Sequence, residues 1–226
     1  EMLLRDLFAG ELPKLVMFDL DGTLIDSVPD LAGAVDVMLG QLGRAPAGVG
    51  KVRHWVGNGA RVLVRRALAD DIEHASISEG ETEQALALFL EAYAGDHSRS
   101  TLYPGVRPFL DALQQAGVPL ALVTNKPSRF VPELLADKQL DGYFRWLVGG
   151  DTLPVQKPDP AALNWVMQQA GVAAPQALFV GDSRSDVLAA KAAGVPVVAV
   201  SYGYNHGQPI AAENPDLLVD SLDALI

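Results

Sequence analysis

Short, mainly apolar runs recur along the chain at Leu15–Leu20, Pro119–Thr124, Trp146–Gly149, Ala177–Gly181, Val195–Val200 and Leu217–Val219. Apolar residues at consecutive positions, not alternate ones, are what a strand covered on both faces requires. Between the later runs, apolar positions recur at spacings of three and four, over Val106–Ala116, Ser128–Gln139, Ala161–Ala170 and Ser185–Ala193, which predicts helices. Strands alternating with helices predict the α/β class, a doubly wound, Rossmann-like parallel sheet. Its functional site is then expected outside the carboxyl ends of the strands.

The first two runs lie about a hundred residues apart, too far for one crossover connection. The intervening stretch has helical spacing over Val28–Leu42, Gly59–Ala69 and Glu81–Tyr93. An inserted all-helical unit explains the gap, giving a core of residues 1–26 and 102–226 and a helical insertion of 27–101. Ser27, with Asp30 three residues on, reads as the N-cap of its first helix. The crossings near Asp26–Pro29 and Thr101–Gly105 are expected to behave as hinges.

Composition narrows the function. Hydrophobic residues make up 49% and charged residues 20% of 226, which favours a globular protein with a substantial core. A net charge of −11 argues against nucleic acid or an anionic membrane as partner, and means that a phosphorylated ligand needs a local cation. The absence of cysteine excludes disulfides, thiolate metal sites and cysteine nucleophiles. No apolar run reaches the roughly 20 residues that span a bilayer, and Glu1–Leu12 lacks signal-peptide features. A soluble cytoplasmic protein, monomer or homodimer, is expected. His54, His74, His97 and His206 have no ligand spacing among themselves; the first three read as surface or insertion residues, with His206 in a Gly-rich loop that could border the cleft.

Candidate chemistry collects where the apolar runs end. Asp19-Leu20-Asp21-Gly22-Thr23 closes the first run with two carboxylates that strand alternation points to one side, before a glycine that permits a sharp bend. Two such carboxylates repel unless a cation neutralises one or they differ in protonation; a surface Asp-Gly turn is the plainer alternative. Thr124-Asn125-Lys126 follows the second run, and Gly181-Asp182-Ser183-Arg184-Ser185-Asp186 the fourth. Lys157, between Gln156 and Pro158-Asp159-Pro160, lies in a loop stiffened by two prolines, with Asp159 and Pro160 placed to start a helix. Asp182 and Asp186 also suit capping of the helix that follows. Taken together on one rim, the carboxylates, hydroxyl and lysine form an all-oxygen cation site beside an anion site; Mg²⁺ and a phosphorylated small molecule are the expected occupants.

These segments, in this order, resemble the four motifs of the haloacid dehalogenase superfamily, and the insertion resembles its type I cap. The resemblance implies that Asp19 is a nucleophile forming a phospho-aspartyl intermediate and that Asp21 is a general acid and base whose main-chain carbonyl meets the metal. It further implies that Thr124 and the Asn125 amide hold phosphoryl oxygens, that Lys157 pairs with nucleophile and phosphate, and that Asp182 and Asp186 serve the metal with Asp19 and Asp21. Within the superfamily, Trp55-Val56-Gly57-Asn58-Gly59-Ala60, Asn125-Lys126-Pro127 and Ser201-Tyr202-Gly203-Tyr204-Asn205 resemble segments of bacterial phosphoglycolate phosphatases. That likeness implies 2-phosphoglycolate as substrate, with Gly57, Asn58 and Lys126 among its contacts. Another small phosphate ester, or a phosphosugar mutase reaction on the same fold, is the alternative.

Overall fold

The computed structural model describes residues 3–95 and 97–226. A short helix α1 (Leu3–Asp6) precedes the first strand, β1 (Leu15–Phe18), and a two-residue strand β2 (Ile25–Asp26). Four helices follow: α2 (Val28–Gln41), α3 (Val49–Trp55), α4 (Ala60–Ala69) and α5 (Glu79–Tyr93). The chain returns through β3 (Thr101–Leu102), α6 (Val106–Gln115), β4 (Leu120–Val123), α7 (Val131–Asp137), β5 (Phe144–Val148) and α8 (Ala161–Ala170). It ends with β6 (Ala177–Gly181), α9 (Arg184–Ala193), β7 (Val197–Val200) and β8 (Leu217–Val219).

Six strands form one parallel sheet in the order β5-β4-β1-β6-β7-β8. Strand alternation sends Val16 and Phe18 to one face, against Phe109, Leu110 and Leu134 of α6 and α7, and Leu15 and Met17 to the other, against Leu163 and Val166 of α8 and Val187 of α9. All four β1 side chains are fully buried, as the unbroken apolar run requires. The chain builds outward from β1 through β4 to β5, then resumes on the other side at β6. β1 is therefore the switch point, and its carboxyl end opens between those of β4 and β6.

The four helices α2–α5 have a core of their own, including Val35, Met38, Val52, Leu63, Val64, Phe89 and Tyr93. Phe130 and Tyr204, from outside that segment, complete it. The departing and returning chain are joined as β2 and β3, with Ile25 opposite Leu102 and Asp26 opposite Thr101. Ser100 Oγ also donates to the buried Asp30 at 2.6 Å, and Arg99 Nε lies 3.5 Å from the same carboxylate. Tyr204 Oη donates to Asp26 and accepts from Val28 N at 3.3 Å, so the loop after β7 braces the start of α2.

Two local readings change. Ser27 does occupy the N-cap position of α2, but its side chain makes no capping bond; its hydroxyl donates to Asp21 Oδ1 at 2.5 Å instead. Pro160, not Asp159, occupies the N-cap position of α8, while Asp159 Oδ1 accepts from Ala161 N at 2.9 Å. Among the described residues, no helix is long and apolar enough to cross a membrane.

Tyr204→Phe removes a partly buried hydrogen bond to a carboxylate and leaves the buried Val28 N without its acceptor, a loss of about 2 kcal/mol. For a chain of this length that lowers Tm by about 4–8 °C in calorimetry; an unchanged Tm contradicts the brace.

Candidate active site

Three parallel strands deliver the site. Asp19 directly follows β1, Thr124 follows β4, and Asp182 follows β6, so their side chains meet at one end of the sheet. Asp19 N donates to Val180 O at 2.9 Å, which extends the β1–β6 pairing to the carboxylate itself. Gly22 then turns the chain at φ +85°; a Cβ there would collide with the Asp182 carboxylate and the Tyr204 ring. Gly203 approaches Asp182 from the other side and leaves no room for a side chain either.

Lys157 is immobilised by the residue that precedes Lys126. Asn125 Oδ1 accepts from Lys157 N at 3.0 Å, and Asn125 Nδ2 donates to Lys157 O at 3.1 Å. Thus fixed, the Lys157 ammonium donates to Val123 O at 2.9 Å and to Asp186 Oδ1 at 2.7 Å, and lies 3.2 Å from Asp19 Oδ1. Asp186 Oδ2 accepts from Asp182 N, Ser183 N and Ser183 Oγ, closing a capping box on α9. Asp186 thus caps α9 through Oδ2 while its Oδ1 pairs with Lys157. Asp182 Oδ1 accepts from Thr23 Oγ1 at 2.8 Å and Oδ2 from Tyr204 N at 2.7 Å.

Asp19, Asp182 and Asp186 each bring a carboxylate oxygen to within 4.8 Å of the others. Burial and the neighbouring Asp186 push the Asp19 carboxyl well above the ordinary carboxylate range, against the pull of Lys157. Burial and Asp186 likewise push Asp182 up to about 8. Asp186 is held below its ordinary value: burial opposes its charge, but Lys157 and the hydrogen bonds it accepts prevail. Asp21 lies outside this trio. Its Oδ1 accepts from Lys126 Nζ at 3.0 Å and from Ser27 Oγ, leaving Oδ2 uncommitted among the described residues. Burial works against the Lys126 charge, yet Asp21 holds its pKa above the usual lysine value.

With all four carboxyls ionised, two ammonium groups would leave two negative charges unbalanced in a buried space, which is why Asp19 and Asp182 hold their protons more tightly than usual. The residues therefore fit a hard divalent cation: the donors are all oxygen, and a charge of +2 balances the cluster. Asp19, Asp182 and Asp186 would hold it.

Of the other sequence candidates, Thr124 and Gly57 line the same cavity as Asp19, Asp21, Asn125 and Lys126. Thr124 Oγ1 accepts from Lys126 N at 3.0 Å and keeps its own hydrogen to donate. Both hydrogens of the Asn125 side-chain amide are committed, to Lys157 O and to Gly57 O (3.0 Å), so that amide ties the α3–α4 loop to the Lys157 loop. Only its main-chain N–H is left for a phosphoryl oxygen. Asn58 is not among the cavity-lining residues: its Oδ1 accepts from Arg66 Nη1 at 2.8 Å and its Nδ2 donates to Ser185 Oγ at 3.4 Å. His206 does not line this cavity; its Nδ1 lies 2.8 Å from His54 O. Sequence reasoning missed Thr23, Ser27 and Tyr204, whose short polar side chain, capping position and aromatic ring each had a plainer local reading.

The Asp182 shift carries a sign. A carboxyl whose pKa is higher folded than unfolded contributes stability below its unfolded value and loses it as pH rises toward about 8. Without divalent cation, Tm is expected to fall between about pH 5 and pH 8. A hard divalent cation favours the ionised form and should raise Tm more at the upper pH than at the lower. Calorimetry in chelator and in cation tests this; an equal or reversed pH dependence contradicts it.

The family described as haloacid dehalogenase-like hydrolase matches residues 16–200. A phosphoglycolate phosphatase of Pseudomonas putida is 64% identical over 222 residues, covering 98% of this chain and 82% of that protein. Phosphoglycolate phosphatase 1 of Pseudomonas aeruginosa is 64% identical over 219 residues, with 97% and 80% covered. The crystal structure of a predicted phosphoglycolate phosphatase from Haemophilus somnus 129pt superposes with a TM-score of 0.87 at 39% identity, over 93% of this chain and 95% of that one. With the site at the carboxyl ends of β1, β4 and β6 and this likeness over nearly its full length, the chain belongs to the haloacid dehalogenase-like hydrolases.

Proposed function

We propose that this chain is a Mg²⁺-dependent phosphatase that hydrolyses 2-phosphoglycolate to glycolate and phosphate through a phospho-aspartyl intermediate on Asp19. The observation that carries the reading is the meeting of Asp19, Asp182, Asp186 and Lys157 beside Thr124, crowded carboxyl groups around a fixed ammonium. The 64% identity to proteins named phosphoglycolate phosphatase supports the substrate.

In the first step a carboxylate oxygen of Asp19 attacks phosphorus in line with the ester oxygen. The ester P–O bond breaks, and Asp21 gives its proton to the departing alkoxide. Oδ2 of Asp21 is the oxygen placed for this, because Lys126 and Ser27 occupy Oδ1. In the second step Asp21 takes a proton from water, whose oxygen attacks the same phosphorus. The bond from phosphorus to Asp19 breaks, which returns the carboxylate and releases phosphate. Lys157 keeps Asp19 oriented and offsets charge on the phosphoryl oxygens, while the Thr124 hydroxyl and the Asn125 main-chain N–H donate to them. A bound Mg²⁺ supplies positive charge that lets an anionic nucleophile and an anionic phosphoryl group approach.

The α2–α5 unit acts here as a cap. Its residues Leu31, Val56, Leu63, Phe89 and Tyr93 line a cavity with Asp19, Asp21 and Thr124, so that closure of the cap over a small leaving group would exclude bulk water.

Phosphate release from a panel of small esters tests the proposal. Release is expected to be fastest from 2-phosphoglycolate, to need Mg²⁺, to stop with chelator, and to fall by at least about 10⁴-fold in Asp19→Asn. Faster release from another ester overturns the substrate. Conversion of glucose 1-phosphate to glucose 6-phosphate without free phosphate overturns the reaction, and full activity of Asp19→Asn overturns the nucleophile.

A further inference from the structure

The cavity beside Asp19 has a polar floor and an apolar wall, and one residue in that wall is out of character. Leu31, Val56, Leu63, Phe89 and Phe130 present only hydrocarbon. Tyr93 stands among them, 2% exposed, stacked on Phe89 at 5.8 Å between ring centroids and edge-on to Phe130 at 5.0 Å. Its hydroxyl hydrogen meets no acceptor among the described residues. The charged group beside it is Lys126, whose Nζ lies 4.5 Å from the ring centroid. An ammonium has no lone pair, so it cannot accept the phenolic hydrogen. Folding has therefore buried a donor and left it unused, a cost that a phenylalanine at this position would not carry.

Lys126 is the only cationic residue lining this cavity among the described residues, and a single hydrogen bond, to Asp21 at 3.0 Å, occupies its ammonium. In the mechanism above Asp21 touches the ester oxygen. Whatever is attached to that oxygen therefore begins beside Lys126. In 2-phosphoglycolate the carboxylate is separated from the ester oxygen by one methylene group, which leaves this second anion within reach of the groups around Asp21, Lys126 and Tyr93 among them.

We propose that Tyr93 is a specificity-determining residue, its hydroxyl donating, together with the Lys126 ammonium, to a carboxylate on the leaving group. This rests on the phosphatase reading above and deepens it: the class of substrate selected is a phosphate ester with an anionic group one carbon from the ester oxygen. Charge from Lys126 and a directional bond from Tyr93 divide the task, and the apolar wall limits the leaving group's size. Burial raises the Tyr93 pKa, against the opposing effect of Lys126, so the phenol stays a neutral donor.

The experiment compares wild type with Tyr93→Phe on two esters of similar size, 2-phosphoglycolate and ethyl phosphate, which lacks the carboxylate, with Tm measured alongside. The variant is expected to lose about 10–100-fold in kcat/KM for 2-phosphoglycolate, to change less than about two-fold on ethyl phosphate, and to keep or gain Tm. Equal losses on both esters, or no loss on either, overturn the assignment while leaving the phosphatase reading intact. A wild-type protein that hydrolyses both esters equally well overturns the substrate reading and this proposal with it.

Discussion

A buried lysine shared by two aspartates is the constraint on which the rest of the structure depends. The Lys157 side chain is 2% exposed and that of Asp186 fully buried, and charges so placed are tolerated only when paired and hydrogen-bonded. The pair is satisfied by groups from four separate places in the sequence: Asp19 after β1, Val123 at the end of β4, Lys157 before α8, and the first turn of α9. Removing one partner strands a buried charge at a cost of about 3–5 kcal/mol. Strand order and register are thus bound to the chemistry: β1 must lie between β4 and β6 for the cluster to close.

The same economy joins the helical unit to the sheet. Asn125 uses one side chain to hold the Lys157 loop and the Gly57 loop, so the position of the cation in the site and the entry to α4 are coupled through a single amide. On the opposite side Tyr204 gives its main-chain N–H to Asp182 and its hydroxyl to Asp26, while its ring completes the core of the helical unit. Arg53 reinforces this contact, with its guanidinium 5.0 Å from the Tyr204 ring centroid and Nη2 donating to Tyr202 O at 3.1 Å. A shift of the helices relative to the sheet would therefore be felt at Asp182 and at Lys157 alike.

Much of this was legible in the sequence because the strands are short, buried and separated by amphipathic helices. The apolar runs at Leu15, Ala177 and Leu217 begin where their strands do, since nothing polar interrupts them. β5 begins at Phe144, ahead of the apolar run at Trp146, because it is an edge strand whose Arg145 faces outward and disguises it. The two-residue strands β2 and β3 were invisible, being too short for any period to register. Helix α3 was also missed, as only Val52 and Trp55 in it are buried. Among the candidate residues, the carboxylates and Lys126 stood out because they lie just after β1, β4 and β6, and Lys157 because two prolines stiffen its loop. The parts played by Thr23, Ser27 and Tyr204 depend on partners far away in sequence, such as the 159-residue separation of Thr23 from Asp182, and no local pattern encodes them. Asn125 was legible as a site residue but its task was not, since which groups its amide meets is decided by how two loops pack.

In the proposed reaction Asp19 attacks phosphorus before water does. The most direct measurement is the stereochemical course at phosphorus, followed with a chiral thiophosphate ester hydrolysed in isotopically labelled water. Two successive in-line displacements, the first by Asp19 and the second by water, predict net retention of configuration. Net inversion would mean a single displacement by water, and would contradict the role given to Asp19.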